Sequence, residues 1–237
     1  MFTLLYLLLI AILVVFSWVG SVYGLVLSDG TMLPNLLSAD SVRWFVRHSI
    51  DNIASAPIVE VLLVLMTMSA VKQSGILKIL SDLLREHTLG PLSRQQRYAL
   101  HISVSVFVVC IILVGIGLVG PNANLLSVTG GIAGGPFAQG WLPLLCVCVS
   151  VPCIVYGWIS DLWHTERDVL SGITAFISHY SGYFVTLIVA SQLMATMQYL
   201  RLFELVGWGS TPTSVCATIV YGLPLLVAIV GDRKVEK

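Results

Sequence analysis

The chain has 237 residues, a formal net charge of +0, 57% hydrophobic residues and 10% charged residues, with a mean hydropathy of +0.94. Soluble domains carry roughly 25% charged residues, so this composition leaves too little polar side chain to coat a surface facing water, and a lipid bilayer is the expected solvent. A balanced charge also argues against nucleic acid, which needs a basic face to neutralise phosphates.

A helix needs about 20 mostly apolar residues to cross a bilayer, and six stretches meet this. The first is Thr3–Leu27. It opens without Lys or Arg and outruns the roughly 7–15 apolar residues of a secretory signal, so it reads as a retained span, with cleavage after Gly24 as the alternative. In Leu36–Ser55, Leu, Val, Trp and Phe mix with Asp40, Arg43, Arg47 and Asp51. That mixture suits a short helix lying on the outer interface with Trp44 at headgroup depth. The second span is Ala54–Val71 and the third Tyr98–Val119. Gly120–Gly140 follows, rich in Gly and without charge; such a loop stays in water or dips part-way into the membrane among other helices.

The fourth span, Trp141–Ile159, precedes Val169–Leu200. Counted from Asp168, that fifth stretch would measure about 50 Å as one helix against a hydrocarbon core of about 30 Å. It must tilt, break near Gly172 or Gly182, or begin as an amphipathic segment along the inner face. Thr213–Val230 is the sixth. No internal repeat stands out. The fold class expected is an all-α integral membrane protein, a single transmembrane domain of about six spans with one interfacial helix.

Cytoplasmic loops hold the excess of Lys and Arg. With the N-terminus inside, the inner regions hold Lys72, Lys78, Arg85, Arg94, Arg97, Arg167, Arg233, Lys234 and Lys237, and the outer ones only Arg43, Arg47 and Arg201. Both termini are therefore expected in the cytoplasm.

Polar groups inside spans cost several kcal/mol unless satisfied, which makes each a functional candidate. Glu60 follows Pro57 near the outer end of the second span; it is a proton or cation site, or an interfacial carboxylate. His179, in the fifth stretch, titrates in a proton-coupled cycle or simply bonds a neighbouring helix. Gln192 is either helix-to-helix glue or a substrate contact. Pro152, ahead of Tyr156 and Gly157, removes a backbone hydrogen bond and should kink the fourth span; the freed carbonyls line a cavity, or the kink serves packing.

Cys110, Cys146, Cys148, Cys153 and Cys216 all lie in apolar runs. The C-x-C-x4-C among them falls mid-helix, whereas zinc sites pair Cys or His on turns. They read as small apolar fillers, and neither a metal nor a cofactor is expected. The inner loop Asp161–Asp168 gathers three acids and His164, a set that a metal-dependent lipid enzyme could use. One short turn supplies it all, however, and most such charge runs are solvated loops. H-E-x-x-H, G-x-S-x-G and the P-loop lysine are missing from the sequence, so an enzyme is not expected.

Taken in order, Asn35-Leu36-Leu37-Ser38, Val42-Arg43-Trp44, Asp51-Asn52 through Ala56-Pro57, and Ser74-Gly75-Ile76-Leu77 resemble the first part of the p-aminobenzoyl-glutamate transporter (AbgT) family. That family shows N-L-L-S, a short helix, an N-F-x-x-F-A-P-L-G entrance to its second span and a closing S-G-L. Gly135-Pro136-Phe137, Val155-Tyr156-Gly157, Asp168-Val169 and Ala190-Ser191-Gln192 are similar to its S-P-F, Y-G, acidic helix start and A-A-Q-F. The order and spacing of these blocks carry the resemblance, and together they cover most of the chain.

The resemblance implies a secondary transporter of p-aminobenzoyl-glutamate or a related organic anion, coupled to an ion gradient. The short inner and outer loops suit a bacterial inner membrane, and the resemblance also implies a homodimer. Asn52, Pro57, Tyr156, Gly157 and Gln192 are the positions it offers as cavity-lining. The departures are as clear. Family members are about twice as long, and their central site is built by two re-entrant hairpins. Between Leu77 and Tyr98 this sequence has only a short basic loop, it stops about where the second hairpin would begin, and Leu200-Arg201-Leu202-Phe203 replaces S-N-L-G. With no Lys or Arg mid-span to meet a carboxylate, the alternative expectation is a reduced, non-transporting paralogue or fragment acting as a membrane partner subunit.

Overall fold

The computed structural model describes residues 2–27, 30–79, 81, 93–119, 125–127, 131, 134–205 and 210–235. Its helices are α1 (Phe2–Val22), α2 (Ala39–Ala54), α3 (Ile58–Gln73), α4 (Arg94–Val119), α5 (Pro136–Ile159), α6 (Glu166–His179), α7 (Ser181–Tyr199), α8 (Leu202–Leu205) and α9 (Ser210–Val235). Among the described residues the extended structure is one isolated bridge between Val26 and Met32.

Local chemistry sets the ends. α1 stops at Val22, short of the expected Leu27, because Gly24 turns the chain at φ +67°, a conformation that glycine adopts without steric cost. Ser38 caps α2 by accepting the Ser41 amide at 3.3 Å. Pro57 separates α2 from α3, since the residue before a proline is pushed out of helical geometry. α4 begins at Arg94, four residues ahead of the expected Tyr98. Its polar first turn is held by a reciprocal cap: Ser93 Oγ accepts the Gln96 amide and Gln96 Oε1 accepts the Ser93 amide, both at 3.2 Å. This is the capping-box arrangement. α5 likewise starts early, with Gly135 as its cap and Pro136 at the first helical position, where the missing N–H costs nothing.

Among the described residues, five stretches are long and apolar enough to cross a membrane: α1, the run Ala39–Gln73 that holds α2 and α3, α4, α5, and Thr213–Gly231 within α9. The pair α6 and α7 passes the same test only when taken together, bent at a short break, and makes six if it is counted as one span. The over-long fifth stretch is thus resolved by a break at Tyr180, two residues before Gly182. The exterior differs from that of a soluble protein, carrying large apolar side chains while small hydroxyl residues join the apolar interior. Ser17, Ser69, Ser103 and Ser191 are buried, whereas Leu4, Val15, Ile112, Leu113 and Ile116 on the same helices or their neighbours are exposed. Leu113 is 63% exposed and Ser103 1%. Small polar residues between helices and large apolar ones outside are what lipid-facing helices require.

The chain divides into two compact units, Met1–Ile58 with Tyr180–Lys237, and Val59–His179. In the first, α7 is the central helix, contacting α1, α2, α8 and α9 and burying Tyr183, Thr186, Leu187, Ala190, Ser191, Leu193, Met194, Ala195 and Thr196. Tyr6 packs on Ala190 and Leu193, with Val220 and Tyr221 beside them. Its hydroxyl donates to the Val220 carbonyl at 2.8 Å, and Tyr183 donates to the Tyr221 carbonyl at 2.7 Å. Ser17 fastens the chain after α1: it donates to the Pro34 carbonyl at 2.6 Å and accepts the Leu36 amide at 2.8 Å.

In the second unit α4 packs on α5 and α5 on α6. Gln95 donates to the Ile159 carbonyl at 3.1 Å and buried Ser103 to the Pro152 carbonyl at 2.8 Å, fixing α4 antiparallel to α5. Of the Gly120–Gly140 loop, residues 120–124, 128–130 and 132–133 lie outside the described residues, as do Leu80 and residues 82–92 of the short basic loop.

Candidate functional site

The polar residues of the first unit gather along the contact of α2 with α7. On α2, Ser41, Trp44, His48 and Asn52 stand three, four and four residues apart, a spacing that places them on one helix face. Asn52 Nδ2 donates to Gln192 Oε1 at 3.2 Å, and Gln192 Nε2 donates to the Ser49 carbonyl at 3.0 Å. One turn-pair further along, the Ser41 and Tyr199 hydroxyls are 3.0 Å apart. The Trp44 ring stacks on Tyr199 with centroids 4.2 Å apart and planes 26° from parallel, and His48 stacks on Trp44 at 5.4 Å. His48 Nδ1 lies 2.9 Å from the Trp44 carbonyl. The seam therefore offers paired neutral amides at one end and an aromatic stack at the other.

The candidates named from the sequence are divided between the two units. Asn52, Pro57 and Gln192 fall in the first, and the structure joins Asn52 to Gln192. Pro57 is half-buried in the short connection after α2. Glu60, Pro152, Tyr156, Gly157 and His179 fall in the second. Glu60 stands exposed in the first turn of α3, and His179, also exposed, is the last residue of α6, at the break. Pro152, Tyr156 and Gly157 are buried on α5, with Tyr156 fully so.

Gly157 has a definable steric reason. The Trp163 ring, itself buried, lies against it: a Cβ at Gly157 would come within 2.6 Å of Trp163 Cε3, and one at Gly172 within 2.7 Å of Cζ2. Trp163 is thus held between α5 and α6 by two glycines. The acidic loop beside it is used for capping. Asp168 accepts the His164 and Thr165 amides at 3.1 and 2.9 Å while Thr165 Oγ1 accepts the Asp168 amide at 3.3 Å. Asp161 pairs with His164 at 3.3 Å, both exposed. Among the described residues no group of three His, Cys, Asp or Glu is placed to hold a metal ion.

Two contacts escaped the sequence reading. Ser69, fully buried on α3, donates to the Gly172 carbonyl at 2.5 Å and accepts the Phe176 amide at 3.3 Å. Those groups are i and i+4 partners of α6, so the hydroxyl sits inside its hydrogen-bond ladder. Tyr199, which closes the aromatic stack, also passed unremarked. A serine in an apolar run carries no signal of its own, whereas the spacing of Ser41, Trp44, His48 and Asn52 was there to be read.

A family model for the AbgT putative transporter family matches residues 81–231, well over half of the chain. The chain belongs to this AbgT family. It is accordingly an integral membrane protein of a transporter family rather than of an enzyme family. The match takes in α4 to α9 with Pro152, Tyr156, Gly157, His179 and Gln192, and leaves Asn52, Pro57 and Glu60 outside it. The fold as a whole is similar to that of MtrF from Neisseria gonorrhoeae, whose structure is described as illuminating a class of antimetabolite efflux pumps. The TM-score is 0.72 at 15% identity, covering 96% of this chain and 81% of that one. At that coverage the likeness extends to the helices before residue 81, so AbgT architecture accounts for α1–α3 as well. No curated protein matches the sequence.

Proposed function

We propose that this AbgT-family chain transports an aromatic amino-acid conjugate of the p-aminobenzoyl-glutamate type, or a related organic anion, driven by an ion gradient. The observation that carries the reading is the Asn52–Gln192 pair. Two amides in an apolar bundle satisfy one another, and each keeps N–H donors that a carboxylate or carboxamide can take up when they part. The Trp44–Tyr199 stack supplies aromatic surface on the same seam, suited to an aryl ring. The description of MtrF's class as antimetabolite efflux pumps agrees with a small organic cargo.

The Lys and Arg distribution, nine against three, supports cytoplasmic termini, and short loops suit a bacterial inner membrane. Family likeness implies a homodimer. One feature favours a second reading: every Lys and Arg lies towards the ends of the spans, so no fixed cation faces a buried carboxylate. On that reading the chain is a non-transporting partner subunit. The test is flux of labelled p-aminobenzoyl-glutamate in proteoliposomes holding the purified chain, with a proton or sodium gradient imposed in either direction. Gradient-dependent flux supports the transporter; flux equal to that of protein-free vesicles under every gradient favours the partner subunit.

A further inference from the structure

Pro224 lies inside α9. A proline has no N–H, so the carbonyl four residues before it loses its helical donor, and here that carbonyl belongs to Val220. In lipid no water replaces the donor, and an unsatisfied carbonyl is costly. The structure supplies one from another helix: Tyr6 of α1 donates to the Val220 carbonyl at 2.8 Å. The next carbonyl, that of Tyr221, lies beside the proline ring and receives the Tyr183 hydroxyl of α7 at 2.7 Å. Tyr6 is only 5% exposed and Tyr183 6%. Two phenols from two helices thus converge on consecutive carbonyls at the single position where α9 cannot complete its own ladder. A third contact ties the same two helices, the Thr3 and Thr186 hydroxyls at 2.7 Å.

We infer that Pro224 is a pivot in α9 and that Tyr6 and Tyr183 are the clasp that holds it. With both hydroxyls bonded, the two halves of α9 are kept in one arrangement against α1 and α7. When they release, the segment after Pro224 is joined to the rest by a ladder with one bond missing, and it bends there more readily than elsewhere. The clasp is therefore a conformational device, and it does not depend on which solute the chain moves.

A double-mutant cycle on the full chain in detergent tests this through the unfolding midpoint and deuterium uptake. In the natural background Tyr6→Phe strands the Val220 carbonyl; the expected fall in midpoint is roughly 2–6 °C, with faster exchange confined to α9 around residues 221–228. In a Pro224→Ala background the new backbone N–H serves Val220, so Tyr6→Phe is expected to shift the midpoint by less than about 1 °C and to leave exchange in α9 unchanged. Tyr183→Phe provides a second arm with a smaller fall, because the Tyr221 carbonyl keeps its own helical donor from Leu225. Equal effects of Tyr6→Phe in both backgrounds would overturn the inference, as would exchange that rises uniformly along α1, α7 and α9.

Discussion

At the scale of single residues, the Asn52–Gln192 pair illustrates why polar groups in a lipid-embedded bundle come in sets. Removing one amide leaves its partner desolvated and unpaired, at a cost of about 1–3 kcal/mol, whereas replacing both by apolar groups removes the penalty with the bond. Asn52→Leu and Gln192→Leu should each lower thermal stability, and the double variant should lose less than the sum of the two single losses. A strictly additive double variant would show that the two amides do not depend on each other. Gly157 makes a different demand. A methyl group there meets the Trp163 ring at 2.6 Å, so Gly157→Ala should destabilise by about 1–3 kcal/mol through overpacking. Trp163→Leu, tested in the same background by thermal unfolding, should relieve it. Asn52 and Gly157 came forward through the family resemblance, and Gln192 was legible as an amide within an apolar span. Ser69 and Tyr199 were not, since serine and tyrosine are unremarkable near spans and their partners lie far along the chain.

At the scale of elements, the fold bears out the all-α membrane class of about six spans that the apolar run lengths led one to expect. Boundaries shifted where local chemistry outweighed hydropathy. The polar residues Arg94–Arg97 are helical because Ser93 and Gln96 cap them, and a hydropathy reading excludes them for being polar. The fifth stretch showed by its length alone that it must tilt, bend or break, and the break falls at Tyr180, two residues before Gly182. The Ser69 hydroxyl within the α6 ladder gives an element-scale prediction. Because the Gly172 carbonyl and Phe176 amide can bond each other once the hydroxyl is gone, Ser69→Ala should cost less than about 1 kcal/mol. Ser93→Ala has no such substitute and should cost about 1 kcal/mol, with fraying seen as faster amide exchange in the first turn of α4. A larger loss for Ser69→Ala than for Ser93→Ala would show that α6 cannot close its own ladder.

At the scale of the whole molecule, the burial of serines and the exposure of leucine, isoleucine and valine are intelligible only with lipid around the helices. The AbgT family match and the likeness to MtrF place that lipid-embedded fold among transporters. Of the positions between Leu77 and Tyr98, where the resemblance places the first hairpin, residues 80 and 82–92 lie outside the described residues. The candidate site is the α2–α7 seam; the family resemblance offered Asn52 and Gln192 as cavity-lining positions and the sequence placed Trp44 at an interface, while the Trp44–Tyr199 stack was not foreseen. The measurement that bears most directly on it is exchange of labelled for unlabelled p-aminobenzoyl-glutamate across proteoliposome membranes, comparing the natural chain, Gln192→Leu and protein-free vesicles. The account predicts exchange well above the protein-free rate for the natural chain and a loss of at least about tenfold for Gln192→Leu, the equivalent of about 1.4 kcal/mol at a substrate contact. Exchange by the natural chain no faster than in protein-free vesicles, or undiminished exchange by a folded Gln192→Leu chain, would contradict it.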